Sequence, residues 1–344
     1  MKKSRITLKD LAKELNLAPS TISRALGDHP AISEATKTRV KEKAEELAFI
    51  PNSIASSFRR KKTRSIGVVV PRIDVHFHSL VISGIEEYAY KKGYNVTIFQ
   101  SKDSLTREKE ITKILQNNMV EGVIACLAIE TKRSDHFKNL KKIGIPLVFY
   151  DRVPSDFESN KIVINDFGAA FQATEHLINI GCKNIGHIAG PQTTGIFKAR
   201  LEGYKAALKK NGLPFHSGLI KYANNLSYEE GVSCAKDFLK YKEPLDGIFC
   251  ANDYTAISVI QVFQKADYKI PDDLSIIGFS NYPISRIIEP NLTTINDRAF
   301  EMGQAAAKLI IRQIEDEEVL IDSETQSIKT ELIIRESSMK KRAV

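Results

Sequence analysis

Only four cysteines occur in 344 residues, and Cys126, Cys182, Cys234 and Cys250 stand far apart with no CxxC pair. That spacing argues against a disulfide framework or a thiolate metal site and for buried free thiols. No apolar run reaches the ~20 residues that a membrane helix needs. The opening Met-Lys-Lys-Ser-Arg resembles the basic start of an export signal, but Lys9, Asp10, Lys13 and Glu14 interrupt the apolar stretch that such a signal requires. A cytoplasmic protein with no membrane partner is expected. GxSxG, GxxxxGK[ST] and a strand-following GxGxxG are missing, as is any cluster of residues with metal-ligand spacing. Nothing positive argues for an enzyme, and no cofactor or metal is expected.

Present instead is a marked charge asymmetry. Residues 1–64 hold 15 Lys and Arg against 7 Asp and Glu, whereas the rest of the chain holds 35 of each. The whole excess of +8 therefore sits in the N-terminal fifth. A small polyanion-binding unit on an electrically neutral body fits that pattern.

Within the basic unit, Thr7-Leu-Lys-Asp10 reads as a helix N-cap with a carboxylate at N3. Leu8, Leu11, Ala12 and Leu15 follow at helical spacing. Asn16 can end that helix in the left-handed region, and Pro19 suits the first turn of a second. Ile22, Ala25 and Leu26 then face inward, with Gly27 as a stop, and a third helix opens at Ser33 and buries Val40, Ala44 and Leu47. Two short helices with a tight turn and a supporting third describe a helix-turn-helix. Pro19, Ser20, Ser23 and Arg24 are left on the outward face. Small hydroxyls allow close approach to base edges and phosphates, and Arg can bridge guanine. The plainer alternative is that Ser20 and Thr21 merely cap the helix. Asn52 or Ser53 can start a further short helix carrying Ile54, Ala55 and Phe58, before the cationic run Arg59–Lys62. It is too short to stand alone and is expected to order against a partner; the alternative for the cationic run is a solvated linker.

Thr7-Leu-Lys-Asp-Leu-Ala, Ser20-Thr-Ile-Ser-Arg24 and Ile50-Pro-Asn52 resemble the head of the lactose-repressor/galactose-repressor family. Ala173-Thr-Glu-His-Leu177, Ala189-Gly-Pro191, Arg200-Leu-Glu-Gly-Tyr204, Ala251-Asn-Asp253 and Pro290-Asn-Leu-Thr-Thr294 follow its pattern through the body. The resemblance implies a ligand-responsive transcription regulator, expected as a repressor binding a palindromic operator as a homodimer. An activator or co-repressor-dependent regulator with a non-sugar effector is the alternative. It implies DNA contacts from Thr7, Pro19, Ser20, Thr21, Ser23, Arg24, Asn52, Ala55, Ser56, Phe58 and Arg59. Phe58 stands where the family usually has a minor-groove leucine, Asn16 replaces the usual turn glycine and Ala18 the usual Ser cap.

Beyond Arg64, short apolar stretches such as Ser65–Val70, Gly122–Ala125, Ile185–Ala189 and Gly247–Cys250 alternate with helical ones. That alternation predicts an α/β class with parallel sheets covered on both faces. Two such series predict two lobes, and the resemblance implies a periplasmic-binding-protein-like effector domain. The expected limits are a head over 1–51, a hinge over 52–64 and a body over 65–340. With the two further crossings that the resemblance implies, lobe one would take 65–162 with 295–322, and lobe two 163–292 with 323–340. Ligands in open α/β sheets bind beyond the carboxyl ends of strands. With the resemblance, this marks His76, Phe77, Asp151, Ile196, Arg200, Asn252 and Ser280 for a small sugar-like effector. For Asp151 and Arg200 a structural ion pair or cap is the alternative, and for His76-x-His78 a metal site. Ser280 replaces a carboxylate that often anchors a sugar in the family. The C-terminus carries no leucine heptads, so a dimer rather than a coiled-coil tetramer is expected. A sugar-binding transport protein would share the body, but the basic head and the interrupted export signal argue against it.

Overall fold

The computed structural model describes residues 6–49, 63–316 and 323–340. The chain divides into two compact units at Thr63–Arg64. In the first, helices α1 (Leu8–Leu15), α2 (Pro19–Leu26) and α3 (Glu34–Glu46) enclose Leu11, Leu15, Ile22, Ala25 and Val40. Thr7 and Asp10 form a full capping box: the Asp10 amide donates to Thr7 Oγ1 at 3.3 Å, and the Thr7 amide donates to the Asp10 carboxylate at 2.9 Å. Asn16 closes α1 at φ 53°, ψ 44°, a backbone region that Asn occupies more easily than most residues. Leu47, expected inside, is instead the C-cap of α3 and only partly buried.

The second unit contains two six-stranded sheets. The first is built from β1 (Ser65–Val70), β2 (Asn95–Gln100), β3 (Gly122–Ala125), β4 (Leu147–Tyr150), β5 (Asn160–Ile164) and β11 (Thr325–Ile328), in the order β11-β5-β4-β3-β1-β2 and parallel throughout. The second takes β6 (Ile185–Ala189), β7 (Ile220–Tyr222), β8 (Gly247–Cys250), β9 (Ser275–Phe279), β10 (Thr293–Asn296) and β12 (Glu331–Ile333), in the order β12-β10-β9-β8-β6-β7. Only β12 runs antiparallel. Strands β3, β4 and β8 are buried at every residue, which is why they read as continuous apolar runs rather than alternating ones.

The chain passes between sheets after β5, after β10 and between β11 and β12. Thr325–Ile328 pairs with β5 in the first sheet, so the third crossing falls at 329–330, later than the expected 322–323 boundary. The second likewise follows Asn296, because β10 pairs with β9. Apolar composition cannot separate two strands that differ only in which sheet edge they join.

Helices α4 (His76–Lys91) and α11 (Ala299–Glu315) pack together on the first sheet at backbone distance. A Cβ on Gly84 would lie 2.1 Å from the Phe300 carbonyl oxygen, and one on Gly303 2.1 Å from that of Val81. The same device recurs in the second lobe. There, in α8 (Gly195–Lys210), a Cβ on Gly203 would meet the Phe167 carbonyl at 2.3 Å, in α7 (Asp166–Asn179). Gly84→Ala must push two backbones apart and should cost about 1–3 kcal/mol. Denaturant unfolding monitored by circular dichroism should show a lowered midpoint; an unchanged midpoint would disprove the close-contact account.

Candidate functional site

In the head, the apolar stripe of α2 is used up internally, since Ile22 and Ala25 are fully buried. Pro19, Ser20 and Arg24 are exposed, while Thr21 and Ser23 are partly so. No side chain caps α2, whose N-cap is Ala18. The capping alternative for Ser20 and Thr21 therefore fails, and their hydroxyls are left for another use. Thr7 is exposed but engaged with Asp10. Asn52, Ala55, Ser56, Phe58 and Arg59 lie outside the described residues.

In the second unit, the carboxyl ends of the two sheets line a cleft of about 590 Å³. Phe77, Asp151, Ile196, Arg200, Asn252 and Ser280 all border it. His76 does not, and the expectation is corrected there. Its ring stands edge-on to Tyr282, 5.4 Å between centroids, while His78 borders the cleft instead. Residues i and i+2 of a helix do not share a face, so the two imidazoles of α4 cannot converge on one metal. Among the described residues no group of three ligating side chains is assembled. Burial drives His78 down to about 3, so its ring is neutral, with Nδ1 3.3 Å from the Tyr150 hydroxyl.

Arg200, in the second turn of α8, is buried. Its Nε donates to Asp166 at 2.8 Å, and Nη1 donates to the Ala251 carbonyl at 2.8 Å. Its guanidinium carbon lies 3.5 Å from the centre of the Phe279 ring. Arg200 is thus both an ion-pair partner and a cleft wall. Asn252 also does two things: it caps α10 (Asp253–Gln264) by accepting from the Thr255 amide at 2.9 Å, and donates to the Leu226 carbonyl at 2.9 Å. Asp151 and Ser280 both have left-handed backbones, φ 57° and φ 96°, a strain that functional sites commonly hold.

Asp297 is the residue that sequence reasoning missed. It directly follows β10, borders the cleft and is 2% exposed. Ser280, on the same cleft wall, acts against burial to lower the pKa of its carboxyl. Position 280 carries no carboxylate, and Asp297 brings one to the same cleft. The strand-end rule would have marked it, had β10 been read as a strand rather than as a crossing. Asp166, Asp103 and Arg152 were also missed; Arg152 Nη1 donates to Asp103.

Burial raises Asp297 to about 7 and Asp166 to about 6, although Arg200 pulls both the other way. A carboxyl raised in this way favours the fold only when protonated; that contribution is complete below about pH 4 and is lost as pH climbs through 7. Asp297→Asn should therefore raise the melting temperature at pH 8 and change it little at pH 5. An equal effect at both would contradict the buried-charge account. Arg200→Ala leaves Asp166 buried without its cation and should cost about 3–5 kcal/mol. The loss should be smaller at pH 5, where Asp166 takes up a proton, as urea unfolding at both pH values would reveal.

Residues 7–52 match the model of bacterial regulatory proteins of the lacI family. Residues 174–338 match that of the periplasmic binding protein-like domain. The HTH-type transcriptional repressor CytR of Escherichia coli (strain K12) is 31% identical over 339 residues, spanning 96% of each chain. A transcriptional regulator CelR–cellobiose complex superposes with TM-score 0.73 at 25% identity, covering 97% of this chain and 100% of that one. The Lac repressor dimer bound to operator gives TM-score 0.87 at 20% identity over 98% and 100% of the two chains, a likeness of fold. Agreement over the full length, head and body alike, leads to one conclusion: the chain belongs to the LacI family of bacterial regulatory proteins.

Proposed function

We propose that this DNA-binding regulator is a repressor that holds a palindromic operator as a homodimer and responds to a small carbohydrate-like effector in the cleft. The observation that carries the reading is the outward face of α2. Pro19, Ser20, Thr21, Ser23 and Arg24 stand on a helix whose apolar face packs without them and whose start none of their side chains caps. They are assigned to the major groove, with Thr7 beside the backbone and 52–64 as the hinge between head and body. Its full-length relatives regulate transcription, so the chain is a regulator and not an enzyme. No described helix is long and apolar enough to cross a membrane.

The carbohydrate reading is supported by the mixed lining of the cleft, where Phe77 and Tyr282 offer rings beside carboxylates and guanidinium groups, and by the cellobiose of the CelR complex. The operator and dimer readings are supported by the Lac repressor complex. Effector binding changes how the two lobes sit, and thereby the spacing of two heads. Switching from mostly bound to mostly free requires differential affinity of about 5 kcal/mol.

Selection from a randomised duplex library should yield an inverted repeat, and an asymmetric site would count against the dimer. Affinity for that duplex should fall with salt at a log–log slope of about −0.9 per phosphate contact. A flat response would defeat the head assignment. Arg24→Ala should weaken the selected site by about 1–3 kcal/mol and leave random duplex nearly unaffected.

A further inference from the structure

Beside the Arg72–Asp74 pair and Lys102, the cleft lining carries Arg152 and Arg200 against Asp103, Asp151 and Asp297, and Arg200 is also bonded to the buried Asp166 behind it. On the first lobe Arg152 bonds Asp103, and its Nε lies 3.9 Å from Asp151 Oδ2. Nearer the second, Arg200 bonds Asp166, and Asp297 lies within electrostatic reach of Arg200, Asp151 and Asp166. Arg152 and Arg200 thus stand among four carboxyl groups, of which Asp297, raised to about 7 by burial, is partly protonated near neutral pH. Of the other cations bordering the cleft, Arg72 is matched by Asp74 at 2.6 Å. Lys102 is exposed, where water screens its charge.

Asp151 and Asp297 are the two carboxyls with the weakest partners, Asp151 having Arg152 Nε only at 3.9 Å. The Asp151 side chain is 10% exposed and receives the Cys126 thiol at 3.7 Å, a weak donor. Asp297 is more deeply buried, and Ser280 acts against that burial. An ionised carboxyl accepts about four hydrogen bonds, so both keep acceptor capacity facing the cavity. Buried charge of one sign is costly until a counter-charge arrives. A metal ion is not prepared for, since no ligand set converges among the described residues.

We infer that the effector carries a protonated amine received by Asp151 and Asp297, which makes it an amino sugar rather than a neutral or phosphorylated one. This rests on the effector reading of the cleft. An ammonium group offers three donors and no acceptor, the complement of two carboxylates. The sugar hydroxyls are left to Arg200 and Asn252, and the ring to Phe77. A cleft of about 590 Å³ suits a ligand of mono- to disaccharide size.

Isothermal titration of the full chain tests this with matched sets: D-glucosamine, D-galactosamine and amino disaccharides, each beside its N-acetyl derivative, its parent sugar and its phosphate. At least one amine should bind ten times more tightly than all three counterparts. Asp151→Asn and Asp297→Asn, each verified as folded by its melting curve, should each weaken that amine at least tenfold and leave the N-acetyl form no weaker. Tighter binding of a neutral or phosphorylated sugar would overturn the inference while leaving the cleft as the effector site. Unchanged amine affinity in both Asn variants would also overturn it. Absence of binding by every member would overturn both the inference and the carbohydrate reading.

Discussion

Arg200 is the side chain on which the cleft depends. Removing a guanidinium from water costs several kcal/mol unless its donors and its charge are matched. Here the match comes from three directions: the Asp166 carboxylate at the start of α7, the Ala251 carbonyl beyond β8, and the face of Phe279 at the end of β9. One residue therefore ties together three strand-end segments of the second lobe. A desolvated cation over an aromatic ring adds about 2 kcal/mol to such a site. The ion pair and the binding wall are the same object, so the structural and functional readings of Arg200 do not compete.

Around that anchor the cleft gathers carboxyls, some paired with arginines and others, Asp151 and Asp297, raised by burial. Asp151 and Ser280 sit in left-handed backbone at the ends of facing strands, which aims both residues toward the opening. Position 280 holds a serine, and Asp297, at the segment that follows β10, brings a buried carboxyl to the same cleft.

The head applies the opposite economy. Its three helices are short and owe their stability to a closed capping box, a left-handed Asn16 and a small apolar centre. Because that apolar centre satisfies α2 from behind and no side chain of its outward face caps it, the outward residues carry no structural duty. A face held rigidly with its hydroxyls and arginine uncommitted is what sequence-selective contact in a groove requires.

Much of this was legible in the chain itself. The helical period of Leu8, Leu11 and Leu15 and the caps at Thr7, Asn16 and Ser33 determined the head, because capping and amphipathicity act within a few residues. Continuous apolar runs of four to six residues marked β1, β3, β6 and β8 at their observed limits, since only strands buried on both faces lack alternation. The strand-end rule marked Phe77, Asp151, Asn252 and Ser280, the family resemblance added Arg200, and all five border one cleft. The features that stayed hidden depended on distance in sequence. That His78 rather than His76 borders the cleft is decided by the rotation of α4 against Tyr150 and Tyr282. That Asp166 pairs with Arg200, and that Asp297 shares the cleft with Ser280, comes from sheets that bring residues 166, 200, 251, 280 and 297 together. Local periodicity carries no information about such meetings, because long-range packing sets them and the tertiary structure alone decides which charges share a low-dielectric space.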